Sequence, residues 1–485
     1  MLHKLVRVWA RNRAKSRPHP SPETVLRQLL QRAKDTPFGK EFGFADILRS
    51  QTLIPSFQAR VPLFDYSRYL EWLGDWDPES ETGTEPLVNR SWPGSIQWFC
   101  LSSGTSSGRT KYIPYSKEMA EQNRRAAYDL TAQLALCFPQ FNPLRHKTLY
   151  MSGSTRLQPN QHGVVAGDMS GLTKWLAPKL LENIVLPPQS ISELEPWSVR
   201  LEALVQLCQK RQDIGILSGI PIWQLTFLET LQGKSGQSIR ELLPNLRFLI
   251  HGGMSIAPYR QKISEILGSG VQLVEVYAAS ELGIAAFQLP GEAGMRFFEH
   301  YGVFYEFEDG LGNMVPRSDL EPGVAYNVLI SSCAGLWRYR IGDQVVFKSI
   351  NPMVLERVGR DKTTSAFDEK VTEFEVEFAM QLHPELGDFA MGPDLAGRRH
   401  VWFVVGEPLP QNFDIQKVDD RLRLKNLDYD DYRGDGRINP PISFHCPDRA
   451  AFLNALKRIE GGQRKFPRLL TPEETLKLLA TFGPS

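Results

Sequence analysis

Val271-Gln272-Leu273-Val274-Glu275-Val276-Tyr277-Ala278-Ala279-Ser280-Glu281 begins as an apolar run and ends in an aromatic, two small residues, a hydroxyl and a carboxylate. The run is short and valine-rich, the pattern of a buried strand. Thr148 to Met151, Ile214 to Leu217 and Leu246 to Ile250 read the same way, and between two of them Val199, Leu201, Leu204, Val205 and Cys208 recur at helical spacing. Strands alternating with helices predict an α/β architecture with a largely parallel sheet. Ser21-Pro22-Glu23, ahead of Val25, Leu26, Leu29, Leu30 and Ala33, predicts a capped helix with proline in its first turn.

Ligands of α/β sheets gather at the C-terminal ends of strands, so the end of the opening stretch is a candidate site. There Tyr277 could stack a purine, Ser280 could donate to a phosphate oxygen, and Glu281 could hold Mg²⁺ through a hard oxygen ligand. The plainer alternative is a capped strand end.

A second signal is Leu101-Ser102-Ser103-Gly104-Thr105-Ser106-Ser107-Gly108-Arg109-Thr110-Lys111, directly after the apolar run Ile96 to Leu101. Its glycines allow backbone N–H groups to turn inward on an anion, and its hydroxyls add donors suited to a polyphosphate. A Walker A loop needs four residues between its glycines and a lysine after the second. Gly104 and Gly108 enclose three and Arg109 follows, so that reading fails. The stretch also matches G-x-S-x-G about Ser106, the signature of a hydrolase nucleophile elbow. However, Pro114 comes too soon for the helix that elbow requires, and His251-Gly252-Gly253 lies downstream of the serine. A merely structural glycine-serine turn also remains open.

The third signal is Gly335-Leu336-Trp337-Arg338-Tyr339-Arg340-Ile341-Gly342-Asp343, between the apolar runs Tyr326 to Ile330 and Val345 to Phe347. Asp343, at a glycine turn beside a strand, suits the two hydroxyls of a ribose, and arginines alternating with apolar residues could bind an anion on one face. A surface hairpin with solvated arginines explains the stretch equally well.

The chain has 485 residues, 42% of them hydrophobic, and a formal net charge of +1. About two or three domains are expected from that length, and the near-zero charge gives no global field for nucleic acid or an acidic membrane. After Gly359-Arg360-Asp361 the pattern changes to a helix near Phe374 to Leu382, strands at His400 to Val405 and Ile442 to Cys446, and a helix from Arg449 to Ile459. Residues 1–359 are therefore expected to form a large domain and residues 360–485 a smaller α+β one. Trp76 to Pro93 reads as a polar loop or the edge of a small lobe.

Cys100, Cys137, Cys208, Cys333 and Cys446 are widely spaced and form no zinc pattern, so they read as buried thiols of a reducing compartment. No apolar run reaches the ~18 residues of a membrane span and no signal peptide opens the chain, which makes a cytoplasmic monomer the expectation. Between Met1 and Pro22, six lysines and arginines with no acidic residue are interleaved with Leu5, Val8 and Trp9. That pattern suits a basic helix folded on the main domain, with a transit peptide or membrane-surface contact as alternatives.

Taken in order, S-S-G-T-S followed by K-Y-I-P, then Y-A-A-S-E, then R-Y-R-I-G-D resemble three nucleotide-binding segments of the adenylate-forming superfamily. In detail they are similar to the auxin-responsive Gretchen Hagen family of acyl acid amido synthetases. Phe57-Gln58-Ala59-Arg60-Val61-Pro62-Leu63 leading into Tyr66, and Gln463-Arg464-Lys465-Phe466-Pro467-Arg468, extend the resemblance from about Pro22 to Arg468. It implies an ATP- and Mg²⁺-dependent ligase with a small mobile C-terminal domain, acting on a carboxylic acid and an amine, the latter an amino acid. Thioester formation with coenzyme A and a nucleotide binder without catalysis are the alternatives.

By the same resemblance Ser102, Ser103, Gly104, Thr105 and Ser106 surround the phosphates, Tyr277 and Ser280 the nucleotide, Glu281 the magnesium and Asp343 the ribose. Lys465 reaches the α-phosphate, and its removal is expected to cripple adenylation more than ATP binding. Trp337, where plant members usually have tyrosine, and Arg464, where an aromatic is expected, are departures that make auxin itself an unsafe inference. Trp98, Met151, Met169, Trp175 and Trp223 could line an acid pocket but serve equally as core, and Arg156 and His162 lie in a polar loop that could steer a carboxylate.

Overall fold

The four expected strands lie side by side in a 12-stranded sheet. Gln272–Ala279 pairs in parallel with Phe248–Gly252, which pairs with Ile214–Gly219, then Lys147–Tyr150, then Val185–Leu186. The helix Trp197–Gln209 provides one crossover and buries Leu204, Val205 and Cys208 as the periodicity predicts. Its inward face also takes Arg200, while Val199 is 47% exposed, so the buried stripe is turned by one position from the expected one.

Parallel pairing stops at Gln272–Ala279. Only Ser280, Glu281 and Leu282 separate it from Gly283–Gln288, too few for the crossover a parallel neighbour needs, and Gly283 turns the chain with φ of 68°. From there the sheet continues through Met295–Phe297, Met353–Arg360, Tyr339–Ile350, Ala325–Ser332, Val303–Glu308 and Met314–Val315. The pairings defined in that half are antiparallel. The α/β class holds, with the parallel part confined to five neighbouring strands. A separate sheet contains the hairpin Trp98–Ser103 and Thr110–Pro114, flanked in parallel by Val165–Gly167.

The computed structural model describes the chain except residues 1, 16–19, 79, 81–82, 104–109, 154, 195–196, 254–255, 257–258, 361–362, 365, 368–370, 407, 435, 437, 457–465 and 484–485. Two compact units result. One comprises Met1–Gly253 with Leu267–Arg357; the other comprises Met254–Ile266 with Val358–Ser485. The helix Pro22–Ala33 is present as predicted, with the Ser21 hydroxyl accepting from the Thr24 N–H and Val25, Leu26, Leu29, Leu30 and Ala33 buried. The basic N-terminal segment forms the helix Leu2–Lys15. It lays Val6 and Ala10 into a core shared with the helix Lys117–Cys137, and Arg13 pairs with Asp129 at 2.5 Å.

In the smaller unit, Asp388–Asp394, Arg399–Val405 and Ile442–Cys446 form a three-stranded sheet. The excursion 254–266 is held to it by the Tyr259 hydroxyl, which donates to Asp388 at 3.1 Å; Arg449 meets the other Asp388 oxygen at 2.5 Å. Arg468 is buried, donating to the carbonyls of Phe389 and Gly387, with its guanidinium 3.9 Å from the Phe389 ring centroid. Four cysteines are buried as expected, whereas Cys137, at the solvent end of its helix, is exposed. Among the described residues no helix is long and apolar enough to cross a membrane.

Candidate active site

Two of the three motif segments meet through one hydrogen bond. Tyr277, on Gln272–Ala279, donates its hydroxyl to Oδ2 of Asp343 at 2.8 Å, with both side chains buried. Irregular strands on both sides make this meeting possible. The pairing of Gln272–Ala279 with Gly283–Gln288 slips between Tyr277 and Ala278, just before Ser280 and Glu281 leave the strand. On the other side Asp343 follows Gly342, whose φ is 78°, in a stretch where Arg340 to Gln344 oppose only Leu329 to Asn327. Such bulges re-aim side chains out of strict alternation.

Glu281 is 5% exposed, a carboxylate kept almost wholly from water. Its charge reaches the Cys100 thiol, which burial, Asp168 and Glu281 together push well above the ordinary range. Cys100 lies in Trp98–Ser103, the strand that leads into the glycine-rich loop. Ser102 and Ser103 end that strand, while Gly104, Thr105 and Ser106 lie outside the described residues, as do Arg464 and Lys465. The loop is followed by an antiparallel strand, Thr110–Pro114, where a nucleophile elbow requires a helix. Ser280 sits half-buried just past the end of its strand.

Tyr277 is 1% exposed and belongs to the main core, so its ring offers no free face for the purine stacking anticipated from the sequence. Its position makes it the residue that orients Asp343. Both arginines of the third segment are paired with carboxylates, although only Arg338 is buried and Arg340 remains 48% exposed. Arg338 is buried against Glu306 at 3.1 Å and donates to the carbonyls of Gln58 and Val61, while Arg340 pairs with Glu308. Gln58 completes the cluster by donating to Glu306 at 2.9 Å. The F-Q-A-R-V-P stretch is thereby clamped to the third motif segment. Trp337 lies in an aromatic cluster with Phe38, Phe44, Phe57 and Trp92, and its indole N–H donates to the Ser91 carbonyl at 3.0 Å.

Sequence reasoning missed Asp168, Lys174 and Arg200. Asp168 caps the helix Met169–Trp175, with Oδ1 accepting from the N–H groups of Ser170 and Gly171, and the Ser170 hydroxyl in turn accepts from the Gly153 N–H. The Asp-Met-Ser-Gly run is the local signal that could have revealed it. Lys174 donates to the Pro187 carbonyl at 2.8 Å, and burial together with the neighbouring Arg200 charge pushes its pKa down to about 7. Arg200 donates to the carbonyls of Ser152 and Leu194. Of the apolar candidates, Met151 is buried, Trp98, Met169 and Trp175 pack half-buried against the core, and the Trp223 ring lies tilted against Trp197 with centroids 5.3 Å apart. Arg156 is exposed on its loop.

The sequence profile of the GH3 family N-terminal domain matches residues 11–217, and that of the GH3 family central domain matches residues 295–360, together more than half of the chain. The chain belongs to the GH3 family. Curated members of similar sequence include a jasmonoyl-L-amino acid synthetase of Nicotiana attenuata, 31% identical over 159 residues, or 30% of this chain and 27% of that one. An indole-3-acetic acid-amido synthetase of Arabidopsis thaliana is 24% identical over 389 residues, covering 66% of this chain and 63% of that one. This GH3 chain thus spans less than two thirds of the length of either curated relative.

Among solved structures, the GH3.15 acyl acid amido synthetase superposes with a TM-score of 0.72 at 18% identity, covering 96% of this chain and 93% of that one. A 2-hydroxyisobutyryl-CoA ligase in its postadenylation state superposes at 0.61 with 14% identity, covering 95% and 90%. Both likenesses establish the adenylate-forming fold for this GH3 member. Asp343 falls inside the matched family regions; Tyr277, Ser280 and Glu281 fall between them.

Proposed function

We propose that this GH3 chain is an ATP-dependent acyl acid amido synthetase: it converts a carboxylic acid to an acyl-adenylate and transfers the acyl group to the amine of an amino acid. The observation that carries the reading is the buried Tyr277–Asp343 hydrogen bond, which joins two motif segments near the C-terminal end of Gln272–Ala279, the kind of strand end where α/β sheets take ligands, with the buried Glu281 just beyond that end. The named activities of the two curated relatives and of GH3.15 support it.

In the first half-reaction the acid's carboxylate oxygen forms a bond to the α-phosphorus of ATP as the bond to pyrophosphate breaks. Asp343, held by Tyr277, accepts the ribose hydroxyls, the loop through Ser102, Ser103, Gly104, Thr105 and Ser106 with Ser280 donates to phosphate oxygens, and Lys465 meets charge developing at the α-phosphate. In the second, the amine nitrogen bonds to the acyl carbon, AMP leaves and the nitrogen gives up its proton. Residues 360–485, which include Lys465, form the part that moves between the two.

Among the described residues no group of three histidine, cysteine or acidic side chains could hold a metal by itself. A lone buried carboxylate nevertheless fits Mg²⁺ that arrives with a nucleotide, since this ion keeps few protein ligands and binds phosphates. Glu281 is the residue that would hold it. When bound, the ion supplies charge neutralisation at the phosphates.

The test is ATP–pyrophosphate exchange across aryl, indole and aliphatic acids, followed by mass spectrometry with mixed amino acids or coenzyme A. Acid-dependent exchange and an amide product are expected. A thioester product would move the chain to the acyl-CoA ligases, and ATP binding without exchange for any acid would sink the catalytic reading.

A further inference from the structure

The helix Leu2–Lys15 is held to Lys117–Cys137 on one side, where Val6 and Ala10 are buried. Its outward side carries Lys4, Arg7 and Arg11, all exposed, at spacings of three and four residues that set them along one stripe about 10 Å long. Val8 lies within that stripe and is 54% exposed, and Trp9, next in the chain, is 37% exposed.

The fold leaves this face uncompensated. Among the described residues no carboxylate pairs with Lys4, Arg7 or Arg11. The first turn of the helix contains no acidic residue, so Lys4 sits against the positive end of the helix dipole, and Arg7 and Arg11 repel each other across one turn. In the supporting helix Asp129 is the only acidic residue between Gln122 and Cys137, and Arg13 already pairs with it at 2.5 Å. Beside that pair stands the exposed Arg125, whose carbonyl accepts from Arg13 at 3.1 Å. The whole chain has a net charge of only +1, so the attraction for an anion belongs to this face alone.

The exposed apolar groups decide which anion fits. A nucleic-acid backbone would meet the cations but would give Val8 and Trp9 nothing apolar to enter. An anionic bilayer does both: its headgroups meet the lysine and the arginines, and its headgroup boundary is where an indole ring settles. We propose that the outward face of Leu2–Lys15 docks the protein reversibly on an anionic lipid bilayer, with the helix lying along the surface. The inference is independent of the nucleotide site.

The test is sedimentation of the full chain with vesicles of phosphatidylcholine, alone or with about one third phosphatidylserine, at about 0.1 M and about 0.5 M salt. Binding to the phosphatidylserine vesicles at the lower salt, and its loss at the higher, is expected. Each basic residue near the surface is worth about fivefold in binding, so Arg7→Gln should weaken it about fivefold and Lys4→Gln, Arg7→Gln and Arg11→Gln combined roughly 100-fold. Lys40→Gln, Lys179→Gln and Lys210→Gln combined remove the same charge from exposed positions elsewhere and should leave binding unchanged.

A parent that binds neither vesicle, or both equally, would overturn the proposal without reference to any variant. So would equal losses in the two combined variants, or parent-like binding in the first of them. Stronger capture by a DNA duplex than by vesicles of the same phosphate concentration would replace the bilayer with a nucleic acid and equally refute the docking.

Discussion

Tyr277→Phe isolates the contact that joins two motif segments. The substitution keeps the ring, which is 1% exposed in the core, and removes only the donor to Asp343 at 2.8 Å. Asp343 is itself 4% exposed, so bulk water is poorly placed to replace that donor. A hydrogen bond to a charged acceptor is worth about 1.5–3 kcal/mol, which corresponds to roughly 10- to 100-fold in an equilibrium constant. If Asp343 holds the ribose equally in the bound and reacting states, the loss is one of uniform binding: KM for ATP rises and kcat changes little. Pyrophosphate exchange measured against ATP at saturating acid is the assay. About a tenfold higher KM is expected at the lower bound, with a larger loss for Asp343→Ala. A KM for ATP indistinguishable from the parent's would show that the Tyr277 hydroxyl has no part in nucleotide binding.

Glu306→Gln should destabilise the larger unit by about 3–5 kcal/mol in denaturant unfolding, because Arg338 would keep its charge in the interior. Their side chains are 3% and 6% exposed and meet at 3.1 Å; the double replacement Glu306→Met with Arg338→Met should regain part of the loss. Lys174 gives a pH signature: its folded pKa is about 7 against 10.5 for the free side chain, so between those values the unfolded chain binds the extra proton and stability rises with pH. Lys174→Met should flatten that rise in melting temperature. A thiol reagent should label Cys137 rapidly in the native protein and the four buried cysteines only after unfolding; fast labelling of a second thiol would contradict the packing.

Local patterns carried much of the architecture. Ser21 with Pro22 set the start of a helix, and the apolar runs near residues 148, 214, 248 and 272 became adjacent parallel strands. The antiparallel half was harder to read. Val303–Glu308 closes on Glu306-Phe307-Glu308, an alternation that reads as half-exposed, yet it is buried throughout. Glu306 and Glu308 are kept inside by Arg338 and Arg340, which arrive from a strand distant in sequence. Those same arginines looked available to an anion for the same reason: a sequence names a charge but not its partner.

The sequence by itself determined the order of the three motif segments, the hydroxyl- and glycine-rich character of the loop, and the residue types at the strand ends, because turn chemistry and short-range periodicity are local. Only the tertiary structure decided that Tyr277 turns into the core to hold Asp343 and that Arg338 clamps the segment around Gln58. Those outcomes depend on which strands become neighbours and where a bulge shifts their register, and a one-residue shift reverses the face a side chain takes.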